Sequence, residues 1–355
     1  MRVSIIVPTF EPVYAKNLAL EEFYRDNFDS WLDPEGDFDS VLIISDYRSS
    51  DPFKAFLRYY AEARGNKVHL LDGMESHGSF QAFNIGLRAR AYDLAVWVAS
   101  DTRARDRMWL QLSAEDFVDP LVLASIPTAT EDGAAVLPQT QPKPIDCQSL
   151  PILAPRFFQL VSAVFSRQLL EPFGHRLCDR FHAMGNDKGI MWQILALDGK
   201  AMLNFRCNIV HSRFHEAGRH NWNDDEGRLV RQKNEQGAAK AAAAILPMPG
   251  GWLRHTKRWT TAISEGWRHS GPRGALREVY IRSRYNNFSY ARNMIVRNAA
   301  HTSYVRENLA FASKLRQFRA LDRRTRLNLV EALYMGDPTI YNCEEIRHGA
   351  ELGVR

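Results

Sequence analysis

Val3-Ser4-Ile5-Ile6-Val7-Pro8-Thr9-Phe10-Glu11 decides the fold. A short β-branched run without polar alternation suits a strand buried on both faces, the kind found in parallel sheets covered by helices. Pro8 ends the run too early for a signal peptide. The turn that follows contains no GxGxxG, which sets a dinucleotide-dependent enzyme aside.

Outward from this strand the pattern repeats. Val41-Leu42-Ile43-Ile44 reads as a second strand. Asp51-Pro52 then opens a helix, since Asp51 can cap free N–H groups and proline tolerates the first helical position. Phe53, Phe56, Leu57 and Tyr60 give that helix one apolar face, and Gly65 closes it. Val68–Leu71 reads as a third strand, Ser79–Arg90 as a second helix and Leu94–Ala99 as a fourth strand ending at Ser100-Asp101. Strands separated by helices imply parallel neighbours, and ligands then bind beyond the strands' C-terminal ends. Six prolines between 127 and 155 predict a long excursion. Strand-like sequence returns at Leu160–Phe165, Ala201–Phe205 and Ile209–His211, with a helix over Asn186–Asp198. A further helix runs into Ala238–Ala244, Pro247–Gly251 is the candidate linker, and helical periodicity runs from Ser303 to Met335.

A length of 355 residues suits one large domain, 1–246, with an appendage, 247–355. Hydrophobic residues at 45% and charged residues at 25% exclude wholesale disorder. No apolar run approaches the ~18–20 residues that cross a bilayer. Cys147, Cys178, Cys207 and Cys343 form no CxxC pair, which argues against structural zinc and a disulfide framework and fits a cytoplasmic setting. The net charge of +5 is unevenly placed: residues 251–335 hold 17 Lys and Arg against 5 Asp and Glu. With Trp252, Trp259 and Trp267 interleaved, that segment fits an anionic membrane surface or a solvated helical appendage. Without a zinc-finger or RRM signature, nucleic acid is the least favoured partner.

The order of these pieces resembles glycosyltransferase family 2, from Val3 to about His211. Val3–Phe10 is similar to that family's opening strand and Pro-Thr-aromatic turn. Asp46-Tyr47-Arg48-Ser49-Ser50-Asp51 is similar to its Asp-x-Gly-Ser-x-Asp segment, with Arg48 in place of glycine. His77–Leu87 resembles the segment in which Gly, Asn and Gly-Leu recur. The resemblance implies the GT-A fold, an α/β, mostly parallel sheet flanked by helices, and an inverting transfer from a nucleoside-diphosphate sugar, UDP favoured. A glycan or lipid-linked hydroxyl would be the acceptor, with Mn2+ or Mg2+ as cofactor.

The chemistry requires charge stabilisation on the departing diphosphate and a base for the acceptor hydroxyl. Asp101 stands where the family has Asp-x-Asp, here Ala99-Ser100-Asp101, and is the expected metal ligand; the alternative is a turn cap. His211 would complete the metal site, with His215 and His220 as competitors and a structural histidine as the bland reading. Asp187, in Asn186-Asp187, is the expected catalytic base; Asp179 and Glu171 are rivals, and a carboxylate is in any case favourable at a helix N-terminus. Asp46 would accept from uracil N3–H, or serve only as a turn residue. Pro8, Thr9 and Glu11 would line the base slot, largely through backbone. Arg48 would reach a phosphate, or lie solvated. Gly78, Asn84 and Ser100 complete the nucleotide-binding set. A GT-A-like module that binds nucleotide or glycan without transfer is the second reading, because two motifs are degraded.

Overall fold

The computed structural model describes residues 1–11, 18–32, 38–73, 78–131, 149–152, 160–180, 186–211, 272, 311 and 315–335. These form the expected α/β fold, a sheet flanked by helices. The strands are β1 (Arg2–Thr9), β2 (Asp39–Asp46), β3 (Val68–Leu71), β4 (Leu94–Val98), β5 (Thr102–Ala104), β6 (Val122–Glu131), β7 (Ser149–Ile152), β8 (Ser162–Ser166) and β9 (Lys200–His211). The sheet order is β3-β2-β1-β4-β8-β6-β9-β5, with β7 beside β9.

The first four strands in that order are parallel, as their helical crossovers dictate. β8 reverses the direction against β4, and β6 reverses it again. β6 and β9 are parallel, so β1, β2, β4, β6 and β9 all end on one edge. The two pieces expected at Ala201–Phe205 and Ile209–His211 are one strand, interrupted by a register shift that falls opposite Pro127/Thr128. β4 and β5 lie four strand spacings apart in the sheet order, about 19 Å on a flat sheet. Four peptide steps join Val98 to Thr102, a reach of about 14 Å. The sheet must therefore curl to bring the ends of β9 and β4 together.

Alternation sorts the strand residues between two cores. Val3, Ile5, Val7, Leu42 and Ile44 pack with Phe53, Phe56, Leu57 and Tyr60 of α2 (Asp51–Arg64). They also meet α1 (Leu18–Trp31), a helix absent from the sequence reading, through its buried residues Leu20, Tyr24, Phe28 and Trp31. Ile6, Ile43 and Trp97 face the other core, against Phe80 and Phe83 of α3 (Ser79–Gly86). α3 ends at Gly86, short of the expected Arg90. There a Cβ would come 2.7 Å from both Ile6 Cγ2 and Ser45 Oγ, so only glycine lets α3 lie this close to β1 and β2. After α4 (Trp109–Ala114) and α5 (Arg167–Leu170), α6 (Asn186–Ala196) fills the same core with Ile190, Trp192, Ile194 and Leu195.

Part of the C-terminal segment belongs to this second core. Phe318, Val330 and Tyr334 are buried in it, the last two on α7 (Arg323–Tyr334), and Arg326 makes a two-pronged ion pair with Asp198 at 2.6 and 2.7 Å. The helix expected near Ala238–Ala244, the linker at Pro247–Gly251, the 246/247 division and most of the basic segment lie outside the described residues.

Candidate active site

The ends of β1 and β2 are laced together. Thr9 pairs with Asp46 in register, and Thr9 Oγ1 donates to Asp46 Oδ1 at 2.9 Å. Ser49 Oγ donates to the same oxygen. Asp46 is wholly buried, and its Oδ2 has no hydrogen-bond partner among the described residues. Burial pushes its carboxyl above the usual aspartate range, against the lowering effect of the two hydroxyls. A bare carboxylate oxygen inside a fold is costly unless something donates to it. Beside it the Phe10 and Tyr47 rings stack at 5.1 Å, an apolar wall at the strand ends.

Glu11 braces this corner. Its N–H donates to Ser49 Oγ at 2.8 Å, its C=O accepts from Ser50 N at 2.9 Å, and Tyr24 Oη donates to its carboxylate. Both backbone groups thus tie the two turns together. Pro8 is buried opposite Ser45. Arg48 is exposed and sits at φ +59°, which gives a physical reason why glycine suits this position.

The structure brings Asp101 and His211 together from positions 110 residues apart: Asp101 Oδ2 and His211 Nε2 are 3.1 Å apart, each partly buried. Thr102 pairs with His211 across β5 and β9. α1 fixes this loop from the other side, Asn27 Nδ2 donating to Ser100 O at 3.1 Å and Trp31 Nε1 to Thr102 O at 2.8 Å. Those two supports escape a sequence reading that omits α1, although the spacing of Leu20, Tyr24, Phe28 and Trp31 carries its signal. One carboxylate oxygen beside one imidazole nitrogen would suit a divalent cation, Mn2+ or, through the carboxylate, Mg2+. No group of three or more His, Cys, Asp or Glu side chains gathers among the described residues. His215 and His220 lie outside them.

Asn84 is buried with its side chain fully engaged. Its side chain donates to Leu177 O at 2.9 Å and Asp179 Oδ2 at 3.0 Å and accepts from Leu177 N at 2.9 Å. These three bonds pin the segment before α6 onto α3. Asp179 is held as well by Arg176 Nη2 at 2.9 Å, which weakens it as a rival base. Gly78 caps α3 with extended backbone, its C=O accepting from Ala82 N at 3.0 Å.

Asp187 occupies the first turn of α6 and is partly buried, its Oδ1 accepting from Lys188 N at 2.8 Å. Three residues, Leu197–Gly199, join the C-terminus of α6 to the start of β9. α7 closes over this region: Arg180 donates to Leu333 O at 2.8 Å, Cys178 Sγ to Tyr334 O at 3.0 Å and Gln193 Nε2 to Met335 Sδ at 3.3 Å.

No family model and no curated protein matches the chain. Among solved structures it is similar to the mannosyltransferase PcManGT from Pyrobaculum calidifontis in complex with GDP-Man and Mn2+, at 16% identity and TM-score 0.44, over 100% of this chain and 81% of that one. It is similar to S. aureus TarS in complex with UDP-GlcNAc, at 14% identity and TM-score 0.46, over 90% and 92%. A third is GalNAc-T7 with UDP, GalNAc and Mn2+, at 12% identity and TM-score 0.46, over 69% and 51%. Likenesses this slight assign neither family nor activity, and the functional reading rests on the chain's own geometry.

Proposed function

We propose that the chain is a glycosyltransferase of the GT-A type that moves a sugar from a nucleoside diphosphate, UDP favoured, to an acceptor hydroxyl with inversion. The observation that carries this reading is the gathering, on one edge of the sheet, of a buried carboxylate with a bare oxygen at β2 and an Asp–His pair where β4 and β9 end. In this reading Asp46 Oδ2 accepts from uracil N3–H, and the Phe10–Tyr47 wall flanks the base. Thr9 and Ser49 act indirectly, by fixing the carboxylate, and Ser100 lines the approach to Asp101. Asp101 and His211 would hold Mn2+ or Mg2+, whose chemistry is the neutralisation of charge on a departing diphosphate. Asp187 accepts the proton of the acceptor hydroxyl, and one base with one attacking oxygen gives inversion.

The catalytic unit is taken as 1–246, with 247–355 contributing α7 as a buttress. The acceptor is a glycan or a lipid-linked chain. An anionic membrane surface met by 251–335 fits the second of these and would place the protein on the inner face of a membrane. Among the described residues no helix is long and apolar enough to cross one.

The test is a screen of nucleotide sugars for nucleotide release with Mn2+ present. The Asp187→Asn variant should lose about 10²–10⁴ in turnover while binding UDP as wild type does. Full activity in that variant removes the base assignment. UDP binding without release from any donor favours the non-catalytic module, for which Ala99 in place of a first acid is the supporting observation.

A further inference from the structure

Beyond Asp101 the chain carries a feature the donor chemistry leaves unused. Thr102-Arg103-Ala104-Arg105-Asp106-Arg107 places arginines at every second position. Thr102 is buried while Arg103 and Arg105 are exposed, the alternation of a strand with one face outward. Arg105 N–H continues the pairing to Asn208 O at 3.1 Å, so Arg103 and Arg105 share that face about 7 Å apart. Arg107 follows, also exposed.

These three guanidinium groups make no hydrogen bond or ion pair among the described residues. The nearby acids are engaged elsewhere. Asp106 Oδ1 accepts from Met108 N at 2.9 Å, Asp116 from Arg206 Nη2 at 3.1 Å, and Glu115 also pairs with Arg206.

Charges on an outermost strand often serve to block edge-to-edge association. Here α1 already covers that edge: Trp31 Nε1 donates to Thr102 O at 2.8 Å, and Ala104 N donates to Ser30 Oγ at 3.0 Å. The arginines are therefore left without a protective task. The base slot is proposed at β1 and β2, whereas β5 starts beside Asp101 and runs back antiparallel to β9.

We propose that Arg103, Arg105 and Arg107 form a track for a polyanionic acceptor chain, one bearing phosphates at intervals, and lead its hydroxyl toward Asp101. Planar guanidinium forks suit phosphate oxygens, and two of them about 7 Å apart on one face with a third just beyond favour an extended chain over an isolated anion. The orientation toward the donor rests on the function proposed above; the anion binding does not.

The experiment titrates the full chain with linear polyphosphate and with orthophosphate by calorimetry. R103A/R105A/R107A should weaken polyphosphate binding at least tenfold, R103K/R105K/R107K should restore part of it, and UDP binding should stay at the wild-type level in both. Polyphosphate held at least tenfold more tightly than orthophosphate by wild type is also expected. Absent polyphosphate binding by wild type, or unchanged binding by the alanine variant, overturns the proposal. So does loss of binding to phosphatidylglycerol vesicles or to a single-stranded oligonucleotide with polyphosphate binding intact, which would make the track a lipid or nucleic-acid surface. If wild type fails to bind UDP but the polyphosphate results hold, the donor reading falls and the track remains.

Discussion

Replacing Asp46 with asparagine separates binding from stability in a way peculiar to this corner. Thr9 and Ser49 both donate to Oδ1, so in the Asp46→Asn variant the amide oxygen stays on their side and the NH2 turns toward the slot. An acceptor for uracil N3–H becomes a donor. A hydrogen bond to a charged group contributes about 1.5–3 kcal/mol, so the Kd for UDP should rise about 10- to 150-fold at 1.4 kcal/mol per decade. CDP should lose little or gain, because the ring nitrogen at that place in cytosine is an acceptor. Stability should move the other way. Burial raises the folded pKa of Asp46, so the native state holds that proton more tightly than the unfolded chain. This group's contribution to stability therefore falls as pH rises from the ordinary aspartate value through the raised one, and the cost is fully present above it. The variant escapes that cost. It should be at least as stable as wild type near neutrality, with the advantage fading as pH drops toward about 4. Calorimetric titration with UDP and CDP, paired with urea unfolding at pH 5 and pH 8, checks both halves. An Asp46→Asn protein that binds UDP within twofold of wild type refutes the slot.

Two further substitutions probe the scaffold. Gly189→Ala adds a Cβ that overlaps Cys178 Sγ and comes 2.6 Å from Tyr334 Cδ1. It should cost about 1–3 kcal/mol in urea unfolding although alanine is about 1 kcal/mol the better helix former, and adding Cys178→Ala should recover part of the loss. Additive effects would show that Gly189 does not meet Cys178. Arg48→Gly should stabilise by about 0.5–1 kcal/mol, since left-handed backbone costs a side chain about 1–2 kcal/mol and glycine returns part of that in unfolded-state entropy. A denaturant midpoint that shifts upward at constant slope is the expected reading.

The sequence alone determined the local elements whose signals are local. β1 through β4 and α2 are written in short apolar runs, a Pro-opened helix and its closing glycine, and the same periodicity would have revealed α1. Sequence order also placed Asp46 and Asp101 after strands, where the sheet rule directs attention. It could not show which polar side chains face inward. Asn84 and Glu11 sit within recognisable segments yet spend their hydrogen bonds on bracing, because the partners that claim them, Leu177 and Ser49, lie 93 and 38 residues away.

Tertiary structure decided the rest. Asp101 meets His211 only because the sheet curls: the short link from β4 to β5 draws the end of β9 round to it, a constraint of chain reach that no local window contains. Likewise, the union of α7 with α6 depends on a glycine meeting a cysteine and a tyrosine from two other segments. Apolar patterning specifies that a face is buried; which distant face covers it is fixed by shape and by the few polar groups that must find partners there.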